Sequence, residues 1–86
     1  MPKLPLSAMI LTFNEEDNIE LCLKSLVDWV DEIFLLDSNS TDRTLEIAEG
    51  YGCKIVQHAF EGHTKQRNWG LRNLPFTHEW VFALDA

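Results

Sequence analysis

Cysteine is scarce in this sequence of 86 residues: Cys22 and Cys53 are the two present, thirty-one positions apart, with neither CxxC nor paired-histidine spacing. That excludes a disulfide framework, gives no zinc signature and leaves both thiols as reduced packing residues. Bases are also few. Seven Lys and Arg against fourteen Asp and Glu give a net charge of -7, a field that repels polyanions and argues against DNA or RNA as partners. No apolar run approaches the roughly 18 residues of a membrane span. The opening MPKLPLSAMILTF lacks the h-region length and the cleavage site of a secretion signal, and meets Asn14-Glu15-Glu16-Asp17 quickly. A soluble, cytoplasmic chain with no membrane segment is therefore expected. Its four glycines and three prolines form no linker, and there is no repeat or low-complexity tract, so residues 1–86 read as one domain or part of one. GxxxxGK[ST], GxGxxG after a strand, HExxH and GxSxG are all missing, which removes the enzyme classes those motifs mark. His58, His63 and His78 share no helical spacing that would gather them around a metal.

What is present is an alternation of strand and helix patterns. Leu6 to Phe13 is apolar on both alternating faces, the mark of a strand covered on both sides. Asn14 or Asp17 is placed to cap a helix in which Ile19, Cys22, Leu23, Leu26 and Val30 recur at steps of three and four. Ile33 to Leu36 repeats the doubly buried strand and stops at Asp37-Ser38-Asn39-Ser40-Thr41-Asp42, a loop of turn formers in which Ser40, Thr41 and Asp42 can cap a helix. A helix over Arg43 to Tyr51 ends at Gly50 or Gly52, and Cys53 to Gln57 reads as a third strand. A helix from His63 to Asn73 stops at Leu74-Pro75, and Glu79 to Leu84 is a fourth strand. Trp29, Trp69 and Trp80 read as packing residues.

Strands separated by helices pair in parallel through right-handed crossovers, which gives an open α/β sheet. Ligands of such sheets sit beyond the carboxyl ends of the strands, where strand order reverses. Asn14 and Glu15 follow the first strand, Asp37 and Asn39 follow the second, and Asp85 ends the fourth. If the first and fourth strands are neighbours, one end of the sheet collects three acidic loops. Taken alone, Asp37 fits a turn former as well as a ligand contact. Asp85 can help hold magnesium or manganese on a phosphorylated ligand, since such ions need only one or two protein carboxylates. Eleven of the acids lie in the first fifty residues, so Lys65 and Arg67 form a local basic spot that suits phosphate or a solvated helix face.

Four segments in this order, MILTFNEEDNI (9–19), LDSNSTDRT (36–44), KQRNW (65–69) and WVFALDA (80–86), resemble the amino-terminal half of a family 2 inverting glycosyltransferase with the GT-A fold. The resemblance covers essentially the whole chain and is nearest to the bacterial lipopolysaccharide core β-glucosyltransferase type. It implies a mainly parallel Rossmann-like sheet of about four strands and three flanking helices. It also implies a nucleotide-sugar donor, most often a UDP-sugar, with Mg or Mn bridging the diphosphate. Phe13, Asn14 and Glu15 then border the nucleoside, Asp37 hydrogen-bonds the uracil, and Asn39 occupies the place of a glycine in relatives. Lys65, Arg67 and Asn68 match the basic helix motif near the nucleotide. Asp85 matches the first aspartate of the Asp-x-Asp motif, near the ribose and the metal.

The second aspartate of that motif would fall one residue past Ala86, as would the general base and the acceptor-binding segments. Residues 1–86 are thus expected to be the nucleotide-sugar-binding half of a GT-A domain, truncated before its acceptor-binding half, with no catalytic residue and no transfer activity alone. Self-association through an exposed sheet edge is expected as well. The parent would deliver sugar to an envelope glycan, a lipopolysaccharide core or a lipid-linked acceptor, peripheral to the inner membrane. Three other readings stay open: a polyprenyl-phosphate sugar transferase of the same family, a noncatalytic α/β binding module, and a phosphotransfer domain phosphorylated on Asp37.

Overall fold

Six consecutive buried residues, Ser7 to Thr12, close the first strand, and Glu32 to Asp37 do the same in the second, so neither strand has a face left for water. The computed structural model, which describes residues 3–86, builds both into the centre of a four-stranded sheet. The elements run β1 (Leu4–Thr12), α1 (Ile19–Leu26), β2 (Val30–Asp37), α2 (Thr44–Gly50), β3 (Lys54–Gln57), α3 (His63–Asn73) and β4 (Trp80–Asp85). The strand order is β3-β2-β1-β4 and every pairing is parallel.

The pleat divides the core in two. Ala8, Ile10, Ile33 and Leu35 point to one face, where Ile19, Leu23 and Leu26 of α1 and Ala48 of α2 cover them. Met9, Leu11, Phe34 and Leu36 point to the other, under Trp69 of α3 with Leu74 and Phe76 beyond it. The chain steps outward from β1 to β3 with its helices on the first face, then returns past β1 to β4 with α3 on the second. Right-handed crossovers require that change of face when the direction reverses. Strand order therefore reverses between β2 and β4 about β1, and the first and fourth strands are neighbours as the site hypothesis needed.

Gly70 lets α3 lie close to the sheet. A Cβ there would fall 2.8 Å from Leu36 Cδ2 and closer still to the Met9 sulfur. Leu74, extended at ψ 138 before Pro75, ends the helix where the sequence placed the stop. Gly52, at φ +78, takes the left-handed position that ends α2.

Three expectations are corrected. Val30 is not on α1 but opens β2, because Trp29 turns the chain first: its indole N–H donates to the Ser25 carbonyl at 2.6 Å and its own carbonyl accepts from Leu4 N–H at 2.9 Å. Neither Asn14 nor Asp17 caps α1; the cap position is Asn18, which makes no side-chain cap bond. Trp80 is not a packing residue, being 74% exposed beside Phe82 on the outermost strand.

Candidate functional site

The carboxyl ends of β1 and β2 are joined by side chains. Thr12 and Asp37 are register partners, and the Thr12 hydroxyl donates to Asp37 Oδ1 at 2.6 Å. Asp37 has no exposed surface. Its other oxygen accepts the Ser40 N–H at 2.7 Å and a long contact from Gln57 Nε2 at 3.4 Å, while the Ser40 hydroxyl also donates to Oδ1. Both oxygens are thus engaged by the protein's own donors. The loop folds back onto the aspartate with Asn39 at φ 59, a left-handed conformation that asparagine tolerates better than most residues.

The same loop is laced to the one after β1. Asn14, itself at φ 50, donates its backbone N–H to the Ser40 hydroxyl at 2.8 Å and accepts Thr41 N–H on its side-chain oxygen at 2.8 Å. Glu15 N–H donates to the Thr44 hydroxyl at 2.8 Å. Asp42 accepts Thr44 N–H at 2.9 Å and the Thr44 hydroxyl, tying down the first residue of α2. The cap position itself is Arg43, which makes no side-chain cap bond, so none of Ser40, Thr41 and Asp42 occupies it. Burial works against ionisation of Asp42, but the Thr44 bonds outweigh it and hold the carboxyl below its ordinary range.

A cleft of about 260 Å³ opens beyond this scaffold, at the ends of β1 and β4. Phe13 and Glu15 line it from the first loop, Ser38 from the second, His63 and Gln66 from the first turn of α3, and Asp85 from β4. Of the residues singled out in the sequence, Phe13, Glu15 and Asp85 therefore meet here. Asn14 and Asn39 belong to the loop scaffold. Lys65 and Asn68 face elsewhere, onto a groove of about 280 Å³ shared with His58, Trp69 and Arg72, and Arg67 is half-buried and lines neither. Among the described residues Lys65, Arg67 and Arg72 make no ion pair.

Asp37 does not face the cleft. Its carboxylate is turned inward and saturated, and the residue after β2 that lines the cleft is Ser38. Burial also removes the basis for phosphorylation of Asp37, since a phosphoacceptor oxygen must be reachable. Ser38, Phe60 and Gln66 are cleft residues that sequence reading did not single out, and His63, considered there only as a metal ligand, lines the cleft with them. Gln66 carried a usable signal: it sits four residues before Gly70, on the face that α3 lays against the sheet.

Among the described residues no three His, Cys, Asp or Glu side chains cluster as a metal site. One carboxylate, Asp85, with Glu15 in the same cleft, is the donor set available, and it suits an ion completed by ligand phosphates and water rather than by a protein cage. The thiols take no part. Burial pushes Cys22 up and Cys53 up to about 11, so both stay protonated and unreactive at neutral pH.

Comparison with known proteins gives a consistent picture. The family model described as glycosyl transferase family 2 matches residues 7–86. A glycosyltransferase of Rickettsia bellii is 35% identical over 81 residues, which is 94% of this chain and 27% of that protein. The lipopolysaccharide core biosynthesis glycosyltransferase LpsC of Rhizobium meliloti is 33% identical across 100% of this chain and 33% of its own length. Among solved structures, glucosyl-3-phosphoglycerate synthase of Mycobacterium tuberculosis, in complex with Mn2+, UDP and glucosyl-3-phosphoglycerate, superposes with a TM-score of 0.78. It is 26% identical and the match covers 93% of this chain and 32% of that one. The chain spans about a third or less of the length of these relatives.

Proposed function

The chain belongs to glycosyl transferase family 2, and from that premise we propose that it is the donor-binding portion of a metal-dependent inverting transferase. Its donor is a nucleotide-sugar, a UDP-sugar, and the sugar goes to an envelope glycan or lipopolysaccharide core. The observation that carries this reading is the cleft at the reversal of strand order, lined by Glu15, Ser38 and Asp85 and bordered by the first turn of α3. That is where open parallel sheets bind nucleotides. The M. tuberculosis structure with UDP and Mn2+ supports the donor class, and LpsC supports the acceptor class.

Each residue has a part in that proposal. Phe13, 57% exposed, offers its ring to the nucleoside. Ser38 meets the base in place of Asp37, and Asp37 holds the loop that presents it. Backbone N–H groups at the start of α3 favour the diphosphate, an anion that acidic surroundings would otherwise repel. Asp85, with Glu15 nearby, would hold a divalent cation together with the phosphates, and such an ion would supply the positive charge that the acidic cleft lacks toward a diphosphate. Lys65 and Asn68 bear on the nucleotide only from outside the cleft. No general base is assigned within these residues, and the chain alone is proposed to transfer no sugar. Calorimetric titration of UDP in the presence of manganese, with ADP as control, tests the reading: preference for UDP supports it, and a folded chain that binds neither nucleotide contradicts it.

A further inference from the structure

Gln66 is 1% exposed, yet it is a polar residue lying under a cleft it also lines. Its amide makes three bonds whose directions are forced. The His58 carbonyl can only accept, so the group 3.2 Å from it must be Gln66 Nε2–H. The Gln66 oxygen then faces His58 Nδ1 at 2.9 Å, and because that oxygen can only accept, His58 Nδ1–H donates. The second hydrogen of Nε2 goes to Ser38 Oγ at 3.2 Å. His58 is fixed in turn by its ring, stacked on Trp69 with centroids 3.9 Å apart, and by its N–H, which donates to the Asp37 carbonyl at 2.9 Å.

One consequence follows for Ser38. A hydroxyl has one hydrogen and two lone pairs, and Gln66 occupies a lone pair. No acceptor within the protein takes the hydroxyl's own hydrogen among the described residues, and Ser38 lines the cleft. We propose that Gln66 is a positioning residue that holds Ser38 as an acceptor from α3 so that its hydroxyl presents a hydrogen-bond donor to a carbonyl of the bound nucleobase. This rests on the donor-site reading above and adds to it the direction of the contact and the residue that sets it. An ionised carboxylate at the same place could only accept, so the pair Ser38 and Gln66 selects a base edge that offers an acceptor.

The test is a double-mutant cycle on this chain, read by calorimetric titration of UDP with manganese, with thermal unfolding followed separately. Ser38→Ala weakens UDP about tenfold, the worth of one hydrogen bond in a shielded site. Gln66→Met weakens it by a similar factor, and the two together cost no more than either alone, because each removes the same contact. Gln66→Glu serves if Gln66→Met does not fold: it keeps an acceptor for His58 but draws the Ser38 hydrogen to itself, so affinity falls again. UDP binding unchanged by a folded Gln66 variant overturns the proposal, as does a double mutant whose losses multiply to about a hundredfold. Failure of the folded wild-type chain to bind UDP at all overturns the donor-site reading instead, and this inference with it.

Discussion

Thr12 and Asp37 stand opposite each other where β1 and β2 end, and the 2.6 Å bond between them ties the two loops that frame the cleft. Asp37 then gathers Ser40, and Ser40 gathers Asn14, so that one buried carboxylate organises both loops. Hydrogen bonds to a charged acceptor are worth about 1.5–3 kcal/mol each, and orphaned donors add a penalty. Asp37→Ala is expected to destabilise the chain by about 3 kcal/mol, a large share of the total for a domain of this size. Urea unfolding measures the loss, and faster hydrogen exchange at the Ser40 amide localises it. A variant as stable as wild type would show that Asp37 does not organise the loops.

Gly70→Ala separates two opposing effects. Alanine improves helix propensity by about 1 kcal/mol, whereas overpacking a filled core costs about 1–3 kcal/mol. The added Cβ meets the side-chain ends of Met9 and Leu36, both fully buried, so one or both must shift within the core. Overpacking is expected to win, lowering stability by about 1 kcal/mol in denaturant unfolding. A rise in stability would mean that α3 can lift from the sheet without cost.

Glu32 gives the fold a pH dependence. It is buried on β2, accepting the Ser7 hydroxyl at 2.7 Å, Lys54 Nζ at 2.7 Å and Thr77 N–H at 3.0 Å. Burial alone would raise its pKa, but Lys54, Thr77 and Ser7 outweigh that and lower it from 4.5 to about 2. A carboxylate with a depressed folded pKa stabilises fully above its unfolded value and loses that contribution as pH falls through the folded one. Wild type is therefore expected to lose its stability advantage over Glu32→Gln between about pH 4.5 and about pH 2. Unfolding midpoints of both at several pH values check this, and a difference that does not change with pH would contradict it.

The two sheet edges differ in how they are protected. β3 is four residues long and carries Lys54, a device that blunts pairing with another chain. β4 spans Trp80–Asp85 without lysine or proline, with Trp80 74% and Phe82 46% exposed. Sedimentation is expected to show a mass rising with concentration from 9.9 kDa toward a dimer, and Phe82→Lys is expected to hold the chain monomeric. A monomer at every concentration would count against association through this edge.

The elements that could be read in the sequence were those whose pattern had one cause. β1 and β2 are apolar on both faces because helices cover both, and α3 was bounded correctly because Pro75 fixes its end. Val30 was misread because it stands four residues after Leu26, and a doubly buried strand supplies apolar residues at helical spacing by coincidence. The strand-end cleft followed from topology. Side-chain direction did not: Asp37 and Ser38 are adjacent and both polar, and which one turns inward depends on Thr12, Ser40 and Gln57, residues that the chain brings together only on folding. The spacing of Gln66 from Gly70 marks its face of α3, but its bonding is hidden for the same reason, since its three partner atoms come from two loops and one of them is a backbone carbonyl.

The most direct test of the donor site is where manganese goes. Mn2+ broadens the NMR signals of nearby nuclei, so titrating it into the labelled chain with UDP locates the ion. The account predicts broadening centred on Asp85, Glu15 and Ser38, dependent on UDP and lost in Asp85→Asn. Broadening centred instead on the groove of Lys65, Asn68 and Arg72, or unchanged by that substitution, would contradict it.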